Sequence, residues 1–300
     1  MAVLASDQRV AAAELEHIDR LLQPPCQASP YTLTGRLARS ATTLLYTARG
    51  PAFGPRAEGV LKVTGTIYAP ILRRELGLLV MCAAADIPGI IRPLQSDLEW
   101  LSIGGPGADR PAAALPLPFL SGGDLSAVAA RAARNGELGP ELAMRAARPI
   151  ATALRGLLEQ LEPPIAHGDV RPQNVLLPSP GAPIERLLLI DLDAAREPAD
   201  PSALAEDVRG FGQLLSLLAT GDLDTEPNTF TKRAFDTLVR RCLGRGGDQY
   251  TSFTDPRLWH DLVAAEPIPP TSRTYAPGPV QRMGHVLDAI GARLPRWPAR

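Results

Sequence analysis

Residues 166–177 read AHGDVRPQNVLL, and this stretch decides how the chain is understood. Asp169 and Asn174 stand five positions apart, with Arg171 and Pro172 between them and an apolar run behind. A second apolar run, LLLI at 187–190, ends in Asp191, and PSPGAPIER between the two runs is rich in turn residues. Two short strands joined this way form a hairpin, which brings Asn174 and Asp191 together at its open end. A carboxamide and a carboxylate offer oxygen ligands to a hard cation such as magnesium. Asp169 lies outside the strand, where it can orient or deprotonate a hydroxyl. Arg171 can neutralise a phosphate. Cation site, base and guanidinium on one hairpin are the working parts of phosphoryl transfer.

Outward from this hairpin the chain changes character once. Up to residue 120 it is strand-rich, with TTLLYTA, GVLKVT, GIIRPLQ, EWLSIG and AALPLPFL as strand candidates. One helix interrupts them: PILRRELGLLVMCAAA places Leu72, Leu76, Leu79 and Val80 on one side. Beyond Gly122 the pattern is helical. DLSAVAARAARNG starts at Asp124 as N-cap, and EDVRGFGQLLSLLATG closes at Gly221. PELAMRAARPIATALRGLLEQL is a long helix in which Pro149 is expected to produce a kink. Two further helices follow, FTKRAFDTLVRRCLG and DPRLWHDLVAA. The expected class is α+β: an N-terminal helical extension (1–30), a small antiparallel lobe of five strands (31–120), a larger helical lobe (121–265), and a Pro-rich link with a last helix near 283–293 (266–300).

Lys plus Arg nearly balance Asp plus Glu, leaving a formal charge of -1, so nothing points to nucleic acid or a charged membrane surface as partner. Cys26, Cys82 and Cys242 are far apart and form no metal or disulfide pattern, which implies a reducing, cytoplasmic setting. The first residues, MAVLASDQRVAAAELEHIDRLL, lack a basic start and a long apolar core and read as an amphipathic helix instead of a signal peptide. No apolar run is long enough for a membrane span.

HGDVRPQNVLL followed by LLLIDLD resembles the catalytic loop and metal-binding segment of the protein kinase-like superfamily, in the manner of an atypical bacterial-type Ser/Thr kinase or pseudokinase. The resemblance covers residues 31–265 and implies the bilobal protein kinase-like fold, with ATP and magnesium as cofactors and a protein as substrate or partner. GVLKV resembles the lysine strand, which implies Lys62 on the nucleotide phosphates. LRRELGLL resembles the helix whose glutamate, here Glu75, pairs with that lysine. LPLPFLSGGDL resembles the hinge, with Leu117 as gatekeeper and the Pro118 carbonyl and Leu120 backbone toward adenine. The same resemblance assigns Asn174 and Asp191 to magnesium, Asp169 to the acceptor hydroxyl and Arg171 to charge on the transferred group. It makes Asp207 a brace for the catalytic loop and His167 a structural residue beneath it. The HGD…N…ID signature is shared with aminoglycoside phosphotransferase-like kinases, but the later helices are more similar to the protein-kinase branch.

The sequence also departs from that pattern. Ala38, Ser40 and Thr43 occupy the three glycine positions of the phosphate loop, and Gly168 replaces the arginine before Asp169. Only residues 194–206 separate Asp193 from Asp207, with Ser202 as the one hydroxyl there; no A-P-E motif follows, and Gln249 stands where its arginine partner would be. Activation by loop phosphorylation and a standard peptide groove are therefore not expected. Asp193, in place of the usual glycine, shares a strand face with Asp191 and can add a metal contact. The leading reading is transfer of the γ-phosphate of ATP to a hydroxyl, most simply protein Ser/Thr. A pseudokinase acting as a binding or scaffold module and a small-molecule kinase stay open beside it.

Overall fold

The computed structural model describes residues 2–55, 57–103, 110–196, 200–223, 233–245 and 247–266. The Pro-rich link and last helix expected within 267–300 lie outside the described residues. A helix, α1 (Ala2–Leu21), comes first, then β1 (Cys26–Ala28), β2 (Tyr31–Arg39), β3 (Leu44–Arg49) and β4 (Gly59–Thr64). Helix α2 (Ala69–Ala84) precedes β5 (Glu99–Ile103) and β6 (Arg110–Pro118). The remainder is helical, α3 (Leu125–Asn135), α4 (Pro140–Glu159), α5 (Pro201–Thr220), α6 (Arg233–Cys242) and α7 (Pro256–Ala265), with the short pair β7 (Val175–Leu176) and β8 (Leu188–Leu189) between α4 and α5.

The small lobe is one antiparallel sheet in the order β1-β2-β3-β4-β6-β5. It has six strands where five were expected: Tyr31–Arg39 stands in place of the GIIRPLQ candidate, and Cys26–Ala28 adds itself to the edge of β2. Its two edges meet: the Ser102 N–H donates to the Ser29 carbonyl at 3.2 Å. The sheet therefore curls, and the period of two along β4 sorts its residues between two cores. Leu61 and Val63 join the core under α1, made with Leu33, Tyr46, Leu101 and Ile103. Val60 packs against the other core, which continues through α2 into the helical lobe. Helix α1 fills the first core with Leu15 and Ile18, joined by Leu22 just past its end, each 1–2% exposed.

One sequence expectation fails here. GIIRPLQ is not a strand; Ile90 and Ile91 are buried, but they make only a bridge to Leu189, and Pro93 has no N–H with which to extend a ladder. Pro149, where a kink was expected, lies inside α4, which runs from Pro140 to Glu159. Packing of its buried face (Ala146, Ala147, Ile150, Ala153, Leu154) outweighs the single backbone hydrogen bond that the proline lacks.

If α1 is part of the small-lobe core, Leu15→Ala should cost about 2–5 kcal/mol. Val10→Ala, at an exposed position of the same helix, should stay within about 0.5 kcal/mol. Urea unfolding of the two variants beside the wild type measures both; equal midpoints would show α1 to be a mere appendage.

Candidate functional site

A cleft of about 640 Å³ lies between the lobes. Its roof is the β2–β3 hairpin and β4, its back wall reaches Glu75 on α2, and its floor is the loop after α4 together with the β7–β8 pair. Every candidate residue lines it: Lys62, Glu75, Asp169, Arg171, Asn174 and Asp191, and at the apolar end Leu117, Pro118 and Leu120.

Lys62 is the centre of the arrangement. Its ammonium lies 2.8 Å from Glu75, 2.5 Å from Asp191 and 3.7 Å from Asp193. Lys62 is 4% exposed and Glu75 1%. Burial opposes the charge on Lys62, but Glu75, Asp191 and Asp193 together hold the ammonium above the usual lysine range. One cation cannot neutralise three carboxylates. The most deeply buried of them, Glu75, is accordingly pushed up to about 7 by burial against the pull of Lys62. Asp193 is raised by burial as well, with Lys62 opposing and the charges of Asp191 and Asp169 adding to it.

The catalytic loop is braced from below. The Asp207 carboxylate on α5 accepts the N–H groups of His167 (2.7 Å) and Gly168 (2.8 Å). Burial raises Asp207 to about 7 despite these two donors. His167 is fully buried, and burial lowers it below the usual histidine range, so the ring is neutral. Its Nδ1 accepts the Asp169 N–H at 3.3 Å, which leaves Nε2–H to donate to the Ile190 carbonyl at 3.1 Å. One imidazole thus ties the catalytic loop to the residue before Asp191. A bare Cα at Gly210 of α5 lets the helix approach, since a Cβ there would collide with the Val170 carbonyl.

Asn174 donates from Nδ2 to the Asp169 carbonyl at 3.0 Å and to its carboxylate at 2.8 Å, which leaves Oδ1 as its acceptor. Arg171 also holds the Asp169 carboxylate, at 3.0 Å, while keeping an exposed side chain. The Ile190 N–H donates to the Asn174 carbonyl at 3.0 Å, so Asn174 and Asp191 sit side by side as the hairpin argument requires. Asp191 has φ +69°, a left-handed conformation rare outside glycine and costing about 1–3 kcal/mol. Leu192 beside it is fully buried, which fixes the segment in place.

Among the described residues no three Asp, Glu, His or Cys side chains form a metal set by themselves. Asn174 Oδ1 and Asp191 are hard oxygen donors in a region with more carboxylates than cations, a donor set that fits a divalent cation such as magnesium. Two further contacts were not legible beforehand. Arg74, next to Glu75, donates to the Ala195 carbonyl at 2.7 Å. Ser40 turns its hydroxyl inward to accept the N–H groups of Thr42 (3.2 Å) and Thr43 (3.0 Å). Both are generic surface residue types whose partners are set only by the fold.

No protein-family model and no curated protein matches the chain. Solved structures do. The Mycobacterium tuberculosis PknI kinase domain matches as a single mutant with TM-score 0.52 and 18% identity, over 80% of this chain and 98% of that one. A double mutant of it gives TM-score 0.54 and 20% identity over 81% and 98%. The BubR1 kinase domain gives TM-score 0.57 and 15% identity over 86% and 92%. At these identities the likeness is one of fold: the chain has the bilobal protein kinase-like fold.

Asp207→Ala should leave two buried backbone donors unsatisfied and destabilise the protein by about 2–5 kcal/mol. Asp207→Asn keeps one acceptor oxygen and should lose less. Chemical denaturation of both variants checks the order; equal losses would mean that burial of the carboxylate, and not its two bonds, sets the effect.

Proposed function

We propose that the chain is an ATP- and magnesium-dependent phosphotransferase that moves the γ-phosphate to a hydroxyl, most simply a protein Ser or Thr. The observation that carries this reading is Lys62, held between Glu75 and Asp191 in the cleft with Asp169 and Asn174 joined across from it. Leu45, Val60, Leu117, Leu176 and Ile190 give the cleft an apolar end suited to a base. The Pro118 carbonyl and the Leu120 backbone would face its polar edge.

Magnesium held by Asn174 and Asp191, with Asp193 in reach, would supply charge neutralisation on the phosphates. The chain's own residues do the rest. Lys62 binds phosphate oxygens, and Glu75 keeps its ammonium aimed into the cleft. Asp169, fixed by Asn174 and Arg171, orients the acceptor hydroxyl and takes its proton as the new oxygen–phosphorus bond forms and the bond to the β-phosphate oxygen breaks, with ADP as leaving group. Arg171 offsets negative charge on the group in transit. A binding module without turnover is the second reading. It is favoured by the turn at Ser40–Thr43, whose N–H groups at 42 and 43 are already taken by Ser40.

Thermal melting with ATP and magnesium, singly and together, tests this. A ligand at a hundred times its Kd should add about 2.7 kcal/mol of stability, and Asp191→Ala should lose the magnesium-dependent part. Asp169→Asn should keep the shift while losing about 10²–10⁴-fold in phosphoryl transfer to a protein or small-molecule acceptor. A shift with no turnover in the wild type would select the binding module, and no shift at saturating nucleotide would refute both.

A further inference from the structure

We propose that α1 is a clamp that positions two of the small-lobe elements bordering the cleft, the β2–β3 hairpin and α2, with Glu14 as a positioning residue for Glu75 and Lys62. The inference rests on the phosphotransferase reading for its catalytic meaning, but its physical content is independent of it.

Helix α2 carries Glu75, yet it has no cap of its own. Tyr68 at its N-cap makes no side-chain bond, and its first turn has no acidic residue. A helix start needs acceptors for its exposed N–H groups and favours a negative charge nearby. Glu14 of α1 does not reach those N–H groups; it fixes the connection that leads into α2 and places a negative charge near the helix start. Its carboxylate accepts the Thr66 N–H at 2.9 Å, the Thr66 hydroxyl at 2.7 Å and the Ile67 N–H at 3.3 Å. Gly65 makes room for it, because a Cβ at that position would collide with the Glu14 carboxylate.

The second grip is on the hairpin. Asp19, with a side chain 9% exposed, pairs with Arg36 at 3.1 Å and Arg39 at 3.0 Å, and accepts the Tyr46 hydroxyl at 3.3 Å. Arg36 and Arg39 are on β2, next to the turn that roofs the cleft. Leu15 and Ile18, within the same stretch of α1, are anchored in the core. Glu14 with Ile18 and Leu15 with Asp19 are spaced i, i+4, so each acid rises beside a buried anchor. One rigid helix therefore fixes the distance between the hairpin turn and the start of α2. Any displacement of α2 acts on the Lys62–Glu75 pair and on the Arg74 contact with Ala195.

The test uses the full-length chain with Glu14→Ala, Glu14→Gln and, as a control on the exposed side of α1, Glu16→Ala. Hydrogen exchange should show residues 66–76 exchanging about five- to tenfold faster in Glu14→Ala, the equivalent of losing one cap, with α5 unchanged. Glu14→Gln, which keeps an acceptor, should fall between, and Glu16→Ala should match the wild type. Binding of ATP with magnesium, read by titration, should weaken by about the same factor in Glu14→Ala. It should weaken no further when Glu14→Ala is added to Glu75→Ala, since the path through Glu75 is then gone. Unchanged exchange in α2, or full additivity of the two substitutions, overturns the clamp. If the wild type binds no nucleotide, the phosphotransferase reading fails, and the exchange result alone decides the clamp.

Discussion

An ammonium group at 4% exposure cannot stand without counter-charge. The cost of burying it unpaired is several kcal/mol at least. Lys62 sits on β4, one of its partners on α2 and the other two just beyond β8, so the cation ties the small-lobe sheet, the small-lobe helix and the large lobe to a single point. The arrangement is lopsided, with three carboxylates for one ammonium. A cleft with surplus negative charge at its inner end disfavours a bare polyanion and favours a polyanion that arrives with a divalent cation. The same electrostatics that hold the lobes together thus set the terms on which a nucleotide would enter.

The parts of this site that were legible in the sequence share one property: their chemistry is carried at fixed spacing on a short segment. Asp169, Arg171 and Asn174 lie on one loop, and Asp191 is a hairpin away, so the turn chemistry of residues 178–186 suffices to place them together. Lys62 was reached through the resemblance of GVLKV to the lysine strand, and its burial among carboxylates accords with a cation set in an apolar run. What was hidden depends on long-range register. Cys26–Ala28 is too short to show a strand period, and the meeting of Ser29 with Ser102 follows only from the curl of the finished sheet. The apolar face of α1 was readable, but which surface it covers was not, since Glu14 finds Thr66 and Ile67 across fifty-odd residues. GIIRPLQ misled because burial of Ile90 and Ile91 comes from the core shared between the lobes, and not from sheet pairing.

Gly168 shows how a departure from a pattern can be a structural requirement. Read as sequence, it is a lost arginine. In the fold it has φ +80°, and a Cβ there would strike the Ala194 carbonyl. That close approach belongs to a pairing in which Ala166 and Arg196 exchange backbone hydrogen bonds at 2.9 and 3.0 Å. Residues 194–196 are thereby laid against the loop that carries Asp169 and held by Arg74 at Ala195, and Asp200 is the N-cap of α5. Backbone contacts hold this segment in the role that charge pairing to a modified side chain would otherwise fill.

The hairpin turn completes the argument. A glycine-rich loop is effective on phosphate because its backbone N–H groups are free and can come close. Here Ser40 accepts two of them, its own N–H is bound to the Thr43 carbonyl at 2.9 Å, and the Thr64 hydroxyl fastens the Thr42 carbonyl at 2.6 Å. The turn is internally satisfied and tied to β4, so it can roof the cleft but has few donors to offer. Under the proposed phosphotransferase reading, anchoring of a polyphosphate would fall to Lys62 and to a cation at Asn174 and Asp191. Point charges in a buried site give strength without the directional grip of a row of amides. Direction has to come from elsewhere, and the rigid placement of α2 against Lys62 is the element of this fold that supplies it.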